Sequence, residues 1–435
     1  MTLSFGFGTG SQSVSVPEEN LLGVLHMNPA APERTGQEAV GYALENPIGL
    51  ARLSEIVPKN KKIAIVTSDI SRPCPSWDIL PPLLAELERG GVDLADVTLV
   101  FGLGSHRHQT EAEMRHLAGP AFDRIRCVDS DCNDCIRMGV TGRGTPVDIT
   151  RVVAEADFRI CLGNVEYHYF AGYSGGAKAI MPGVSSRDAI QANHRMMVQN
   201  EACAGRLEGN PLRMDIEEAG RICGIHYIVN VVLDEHKQII FAAAGDVTAA
   251  HRAGCQYLDT LYRKPIPQRA DIVLVSQGGA PKDLNLYQTQ KALDNAKHAV
   301  RPGGIIILIG SCKEGLGEKC FERWIQEAKC SHDLIDRVQT HFELGGHKAA
   351  AIAMVLENAR IFLVSEMAPE LVRKCFLEPY SSAQKALDDA FAILGSNATV
   401  LAMPYGGSTL PCTKEAVIVK SRLISMKSWQ NDKNA

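Results

Sequence analysis

Short apolar runs alternate with helical patterns along this chain, and that alternation limits the fold more than any other feature. The runs Lys62–Thr67 (KIAIVT), Asp96–Phe101 (DVTLVF), Asp157–Leu162 (DFRICL), Asp271–Ser276 (DIVLVS), Gly304–Ile309 (GIIILI), Arg360–Val364 (RIFLV) and Ala398–Ala402 (ATVLA) are rich in Val, Ile and Leu. Helical periodicity appears at Pro75–Arg89, Thr110–Leu117, Tyr287–Ala299, Gly346–Asn358 and Ser381–Leu394. A strand that is apolar on both faces must be covered on both faces, which is the situation of parallel strands between helices. The fold class expected is therefore α/β, with two α/β domains, largely parallel sheets and a ligand site in the cleft between the domains. The polar, proline-bearing segment Lys264–Gln268 (KPIPQ) reads as the linker. This gives an N-terminal domain over 1–265, a C-terminal domain over 269–411 and a tail over 412–435 that is expected to return to the N-terminal domain.

Charge and composition narrow the function classes. A net charge of -5 with no long basic stretch argues against nucleic acid as a main partner, since phosphate neutralisation needs clustered Lys and Arg. The first twenty residues, MTLSFGFGTGSQSVSVPEEN, have neither a basic start nor an apolar core, so no export signal is expected there. No apolar run approaches the length of a membrane span, and no membrane association is expected. Thirteen cysteines without a repeated spacing suggest free thiols in a reducing cytoplasm. Cys132 and Cys135 form a lone CxxC, whereas a structural zinc site needs a second pair.

Open α/β sheets bind ligands beyond the carboxyl ends of their strands. Four unusual clusters stand at such positions: Ser68–Pro73 (SDISRP), Gly102–His108 (GLGSHRH), Gly163–His168 (GNVEYH) and Gln277–Asp283 (QGGAPKD). The last leads into a helix whose Tyr287, Gln288 and Lys291 are spaced to share one face. The third opens the segment Gly163–Pro182, GNVEYHYFAGYSGGAKAIMP, in which a glycine-rich run ends in Lys178. A phosphate-binding Walker loop would need Gly before that lysine and Ser or Thr after it, but Ala177 and Ala179 stand there. The lysine is left open as a covalent anchor. Taken singly, each of these histidines, arginines and lysines reads as a solvated charge or a satisfied histidine. Their joint occurrence at strand ends points instead to a pocket that holds an anion and moves protons. Two sharper readings are weaker. His106-Arg-His108 is similar to the HxH of zinc hydrolases, but the later strands end in Gln277, Gly310 and Ser365 rather than further ligands. A dinucleotide loop beginning at Gly102-Leu-Gly104 lacks its third glycine, replaced by Arg107.

In order, the clusters resemble the nickel-dependent lactate racemase family of 2-hydroxyacid racemases and epimerases, over nearly the whole chain. The family's Asp-x-Thr-Arg-Pro stands as Asp69-Ile-Ser-Arg-Pro73, with Ser71 keeping the hydroxyl. Its Gly-x-His-Arg-x-x-Thr stands as Gly104 to Thr110, its His-to-Lys segment runs from His168 to Lys178, and its Tyr-Gln-x-x-Lys helix stands as Tyr287 to Lys291. The resemblance implies a nickel-pincer nucleotide (pyridinium-3-thioamide-5-thiocarboxylic acid mononucleotide) covalently on Lys178, with nickel bound by His194. It implies His106 and His168 as the acid/base pair, and Arg72, Tyr287, Gln288 and Lys291 as substrate-binding residues. Asp69, Gly175 and Gly176 are expected against the cofactor, with Asp69 alternatively orienting Arg72. The implied partners are a small 2-hydroxy acid substrate and cofactor-biosynthesis proteins. The alternatives are a zinc-dependent hydrolase using His106 and His108, or a non-catalytic homologue that binds a small acid or the cofactor.

Overall fold

A computed structural model of the protein describes residues 1–413. They form two compact units, one of residues 29–261 and one that joins residues 1–28 to the chain from 262 onward.

The first unit is built on a six-stranded sheet in the order Ile239–Gly245, Tyr227–Leu233, Phe158–Asn164, Ile63–Ser68, Val97–Gly102, Arg126–Asp129. All neighbouring pairs are parallel except Tyr227–Leu233 with Ile239–Gly245. Alternate residues Ile63, Ile65, Leu99, Phe101, Ile160, Leu162, Val229 and Val231 face a core shared with helices Gly36–Glu45 and Ser76–Arg89. The opposite set, including Ala64, Val66, Val100, Cys161 and Ile228, is buried as well. Burial on both faces explains why these runs read as continuously apolar. Helix Glu111–Ala118 begins where its sequence signals: Thr110 accepts the Glu113 N–H at 3.2 Å, and Glu113 accepts the Thr110 N–H at 2.8 Å. The order of the sheet matters for function. Phe158–Asn164, Ile63–Ser68 and Val97–Gly102 lie side by side and parallel, so their carboxyl ends share one edge.

The second unit has an all-parallel sheet in the order Glu378–Tyr380, Ala359–Val364, Val300–Ile309, Ala270–Ser276, Val400–Met403, Leu21–Val24. Its core combines Ile272, Leu274, Ile305, Ile307, Phe362 and Val400 with helix Ala383–Leu394.

Three sequence expectations are corrected here. Residues 1–28 belong with the second unit rather than with a domain spanning 1–265. Leu21–Val24 adds an edge strand beside Val400–Met403, and Leu3, Phe5, Val14 and Val16 of the hairpin Thr2–Phe7/Gly10–Ser15 enter the second core. The segment read as a linker is part of a strand, Arg263–Ile266, paired with Leu410–Thr413. Pro265 has no N–H to give, which a two-stranded ladder tolerates. The helix expected over Tyr287–Ala299 is broken into Leu286–Thr289, a 3-10 turn Gln290–Ala292 and Leu293–Ala296. The expected return of the tail lies, beyond residue 413, outside the described residues. Among the described residues no helix is long and apolar enough to cross a membrane.

Candidate active site

The loop after Ile63–Ser68 carries Asp69, Ser71 and Arg72, and the loop after the adjacent strand Val97–Gly102 carries His106. His106 Nδ1 stands 2.6 Å from Asp69 Oδ2, and the Ser71 hydroxyl donates to Asp69 Oδ1 at 2.8 Å. Asp69 is buried, so its carboxylate is taken up by these two donors rather than by Arg72 or by an open surface. Its side chain bonds Ser71 and His106 and not Arg72, the alternative partner expected of it. Gln109 holds the two loops together: its Oε1 accepts the Ile70 N–H at 2.8 Å, while its Nε2 donates to Asp129 at 3.1 Å. The Arg72 side chain is exposed, and its guanidinium has no ion pair among the described residues. The His106 loop also meets the segment that follows Lys178, through Gly104 N–H to the Gly183 carbonyl at 2.8 Å.

Beyond Phe158–Asn164 the chain forms a short hairpin, Tyr167–His168 against Gly172–Tyr173, and then a 3-10 turn, Gly176–Ala179, bearing Lys178. Phe170, at the hairpin's tip, is buried and gathers three of the expected site residues. The His168 ring lies edge-on to it at 4.4 Å, the His194 ring edge-on at 5.0 Å, and the Lys178 Nζ stands 5.7 Å from its centroid. Its backbone is fixed by Asn210, whose Nδ2 donates to the Phe170 carbonyl at 2.8 Å. The same Asn210 caps helix Pro211–Cys223 by accepting the Arg213 N–H at 3.0 Å, with Pro211 at the first helical position. His168 Nδ1 accepts the Ala171 N–H at 3.2 Å.

The Lys178 amine is held well below its ordinary pKa. Burial among protein atoms is the larger cause, followed by the positive fields of Arg72 and Arg213. It has no carboxylate partner among the described residues. Arg213 and His251 support the turn from beneath. Buried Arg213 donates to the carbonyls of Tyr173 and Gly175 at 3.3 and 3.4 Å and pairs with Glu217 at 2.8 Å. His251 Nε2 meets the Ser174 carbonyl at 2.8 Å, and its Nδ1 receives Arg213 and Arg252, each at 3.0 Å. Burial first, and then these two guanidinium groups, push the His251 pKa well down.

Gly175 and Gly176 both have positive φ, 75° and 60°. A Cβ on Gly175 would stand 2.8 Å from Asn230 Oδ1, and one on Gly176 would stand 2.9 Å from Arg213 Nη2. The space they free is filled by protein, so these glycines serve the shape of the turn.

His194 ends helix Arg187–His194 and is buried; its Nδ1 faces Asn193 Oδ1 at 3.1 Å. In the second unit Tyr287 and Gln288 are half-buried and Lys291 is exposed, while Leu286, Thr289 and Gln290 are buried. Lys348 Nζ lies 4.7 Å over the Tyr287 ring.

Residues 7–205 match the lactate racemase N-terminal domain family and residues 266–410 match the lactate racemase C-terminal domain family. The chain belongs to the lactate racemase family. It is 32% identical over 420 residues to a lactate racemase of Thermoanaerobacterium thermosaccharolyticum, covering 93% of this chain and 97% of that protein. It is 31% identical over 407 residues to a lactate racemase of Lactiplantibacillus plantarum, covering 91% and 96%. The lactate racemase apoprotein structure from T. thermosaccharolyticum superimposes with a TM-score of 0.83 at 30% identity, covering 95% of this chain and 100% of that one. A Thermotoga maritima crystal structure shares the fold with a TM-score of 0.61 at 18% identity, covering 89% and 100%.

In this member of the lactate racemase family, the HxH histidines do not converge. His106 is bound to Asp69 and His108 to Asp129, at 3.2 Å, and among the described residues no three His, Cys, Asp or Glu side chains form a metal-holding group. Cys132 and Cys135 have separate contacts, with Arg187 Nε at 3.5 Å and the Asp131 carbonyl at 3.4 Å. Sequence reasoning missed Phe170, Gln109, Arg213 and His251. The Asn-Pro pair at 210–211 was a readable helix-start signal that would have led to Arg213.

Proposed function

We propose that the protein interconverts the enantiomers of lactate, or of a closely related 2-hydroxycarboxylate, by moving the C2 hydrogen as hydride. Membership of the lactate racemase family makes the chain an isomerase. The hydride route follows from the substrate. Removing the C2 hydrogen as a proton would build a second negative charge beside the carboxylate, whereas removing it as hydride needs only an acceptor and a base for the hydroxyl proton. The observation that carries this reading is the assembly of His168, Lys178 and His194 around Phe170, beside a loop in which Asp69 orients His106.

The residues fit the implied nickel-pincer nucleotide. A lysine amine favoured in its neutral form is suited to an amide-like linkage, and Lys178 and buried His194 border the same ring, so a group tethered to one is within reach of the other. Lys178 would hold that group, delivered by cofactor-biosynthesis proteins, and the His194 imidazole would ligate the nickel. When bound, the cofactor supplies the hydride acceptor. The protein does the rest. Asp69 accepts the His106 Nδ1–H and leaves the Nε2 lone pair to take the hydroxyl proton. His168 is assigned the opposite enantiomer; its Nδ1 accepts the Ala171 N–H, so that bond must open before its Nε2 can take a proton. Arg72, with its fork unoccupied, holds the carboxylate. Tyr287, Gln288 and Lys291 are assigned to substrate holding by the family resemblance, and none of the three is fully buried.

The test is to load the protein with nickel and cofactor and incubate it in D2O with pure L- or D-lactate, then with malate and longer 2-hydroxy acids. Loss of enantiomeric purity with protium kept at C2 is expected for lactate or a near relative. No conversion of any acid would leave a binding protein, and deuterium at C2 would show proton abstraction instead.

A further inference from the structure

His194 stands at the end of a buried chain of hydrogen bonds whose direction can be worked out atom by atom. The chain begins at Thr145, whose N–H donates to Thr141 Oγ1 at 3.1 Å. With that acceptor site used, the Thr141 hydroxyl proton points to Asp215 Oδ1, 2.5 Å away. The other oxygen of Asp215, Oδ2, is 2.7 Å from Asn193 Nδ2. A carboxylate only accepts, so the Asn193 amide must present its NH2 to Asp215. The Leu212 carbonyl, also only an acceptor, lies 3.4 Å from the same nitrogen and selects the same orientation. Asn193 Oδ1 is thereby turned to His194 Nδ1, 3.1 Å away. An amide oxygen can only accept, so Nδ1 carries the proton and the neutral ring keeps its lone pair on Nε2. Thr141, Thr145, Asn193, His194 and Asp215 are all buried, so water does not compete for these bonds.

We propose that Asn193 and Asp215 are positioning residues that lock His194 as the Nδ1–H tautomer and so commit its Nε2 lone pair to the metal. This rests on the reading of His194 as the nickel ligand. A ligating histidine is commonly held by a hydrogen bond from its other nitrogen, which fixes both ring orientation and tautomer. Here that bond is relayed from a carboxylate through an amide. Asp215 also joins two distant parts of the chain: the turn at Thr141 and the helix that carries His194.

The experiment begins with the apoprotein labelled with 15N at histidine, the His194 signals being identified by their loss in His194→Gln. Nitrogen shifts of the neutral ring in the parent should report Nδ1–H; Nε2–H would overturn the proposal without any variant. Asp215→Asn is isosteric, and its new NH2 can donate to Asn193, allowing the Asn193 amide to turn and present its own NH2 to the ring. The His194 tautomer should then shift toward Nε2–H. On cofactor-loaded protein, nickel affinity should fall about 10- to 100-fold while the mass adduct on Lys178 persists. Asn193→Ala should remove the tautomer preference and weaken nickel to a similar degree. Parental tautomer and parental nickel affinity in both variants would overturn the relay. If His194→Ala loses nickel while Asp215→Asn shifts tautomer and keeps it, the positioning role is overturned. If His194→Ala itself keeps parental nickel, the ligand assignment has failed, and the apoprotein tautomer result still decides whether the relay exists.

Discussion

Asp69 Oδ2 lies 2.6 Å from His106 Nδ1, and the two residues come from the ends of neighbouring parallel strands. The carboxylate accepts the Nδ1 proton, and the Ser71 hydroxyl on its other oxygen keeps it from turning away. His106 therefore offers Nε2 as the basic atom. Asp69→Asn should preserve the fold, because the change is isosteric, but should release this constraint on the tautomer. Turnover should fall on the order of 100-fold or more, with a smaller change in KM, since in the proposed mechanism His106 is a general base and not a substrate clamp. Steady-state kinetics on cofactor-loaded protein decide it, and a parental kcat would show that Asp69 is only structural.

The Lys178 amine gives a second prediction. Burial and the fields of Arg72 and Arg213 favour its neutral form, so at neutral pH it should be a better nucleophile than the surface lysines. Limited labelling of the apoprotein with an acylating reagent at pH 7, followed by peptide mass spectrometry, should find Lys178 modified ahead of Lys59, Lys61 and Lys237. Labelling at or below the surface rate would contradict the assigned environment. In cofactor-loaded samples the same site should be blocked, and Lys178→Ala should carry no adduct.

The strand runs, the His168–Lys178 segment and the strand-end clusters were legible because they are local: each depends on spacing within a few residues. What joins them was not. Asp69 and His106 are separated by a whole helix, and their meeting depends on Ile63–Ser68 and Val97–Gly102 being neighbours in the sheet. Phe170 read as one more aromatic beside Tyr169, because its role lies in what surrounds it. Arg213 and His251 sit on helices whose patterns show only an amphipathic face, and nothing local marks them as the floor of the Lys178 turn. The misplacement of residues 1–28 has a similar cause. Leu21–Val24 is short, and its partner Val400–Met403 stands at the other end of the chain.

His251 makes stability depend on pH. Burial first, and then the two guanidinium groups at its Nδ1, favour the neutral ring in the folded protein and hold its pKa well below the ordinary value of about 6.5. In the unfolded chain the ring binds a proton near pH 6.5. The unfolded state thus binds more protons below that pH, and its share of the stability, complete above about pH 6.5, is lost as pH falls toward the depressed folded value. Urea unfolding of the apoprotein should show this, with His251→Gln having a shallower slope between about pH 6.5 and 5, by up to about 1.4 kcal/mol per pH unit. Identical pH profiles in parent and variant would mean that the ring is not held neutral.

The central claim is that His106 and His168 each serve one enantiomer, and a single-turnover experiment tests it most directly. Cofactor-loaded His106→Ala and His168→Ala are mixed separately with pure L- and pure D-lactate, and the 2-keto acid formed is quantified alongside the absorbance change. Each variant should lose racemisation in both directions, because a full turnover uses both rings, yet each should still oxidise one enantiomer, and the two should differ in which. The Ala171 N–H on Nδ1 of His168 must be released before that ring can take a proton at Nε2, so the half-reaction left in His106→Ala should be the slower. Racemisation at the parental rate by either variant, or oxidation of the same enantiomer by both, would contradict the two-base account.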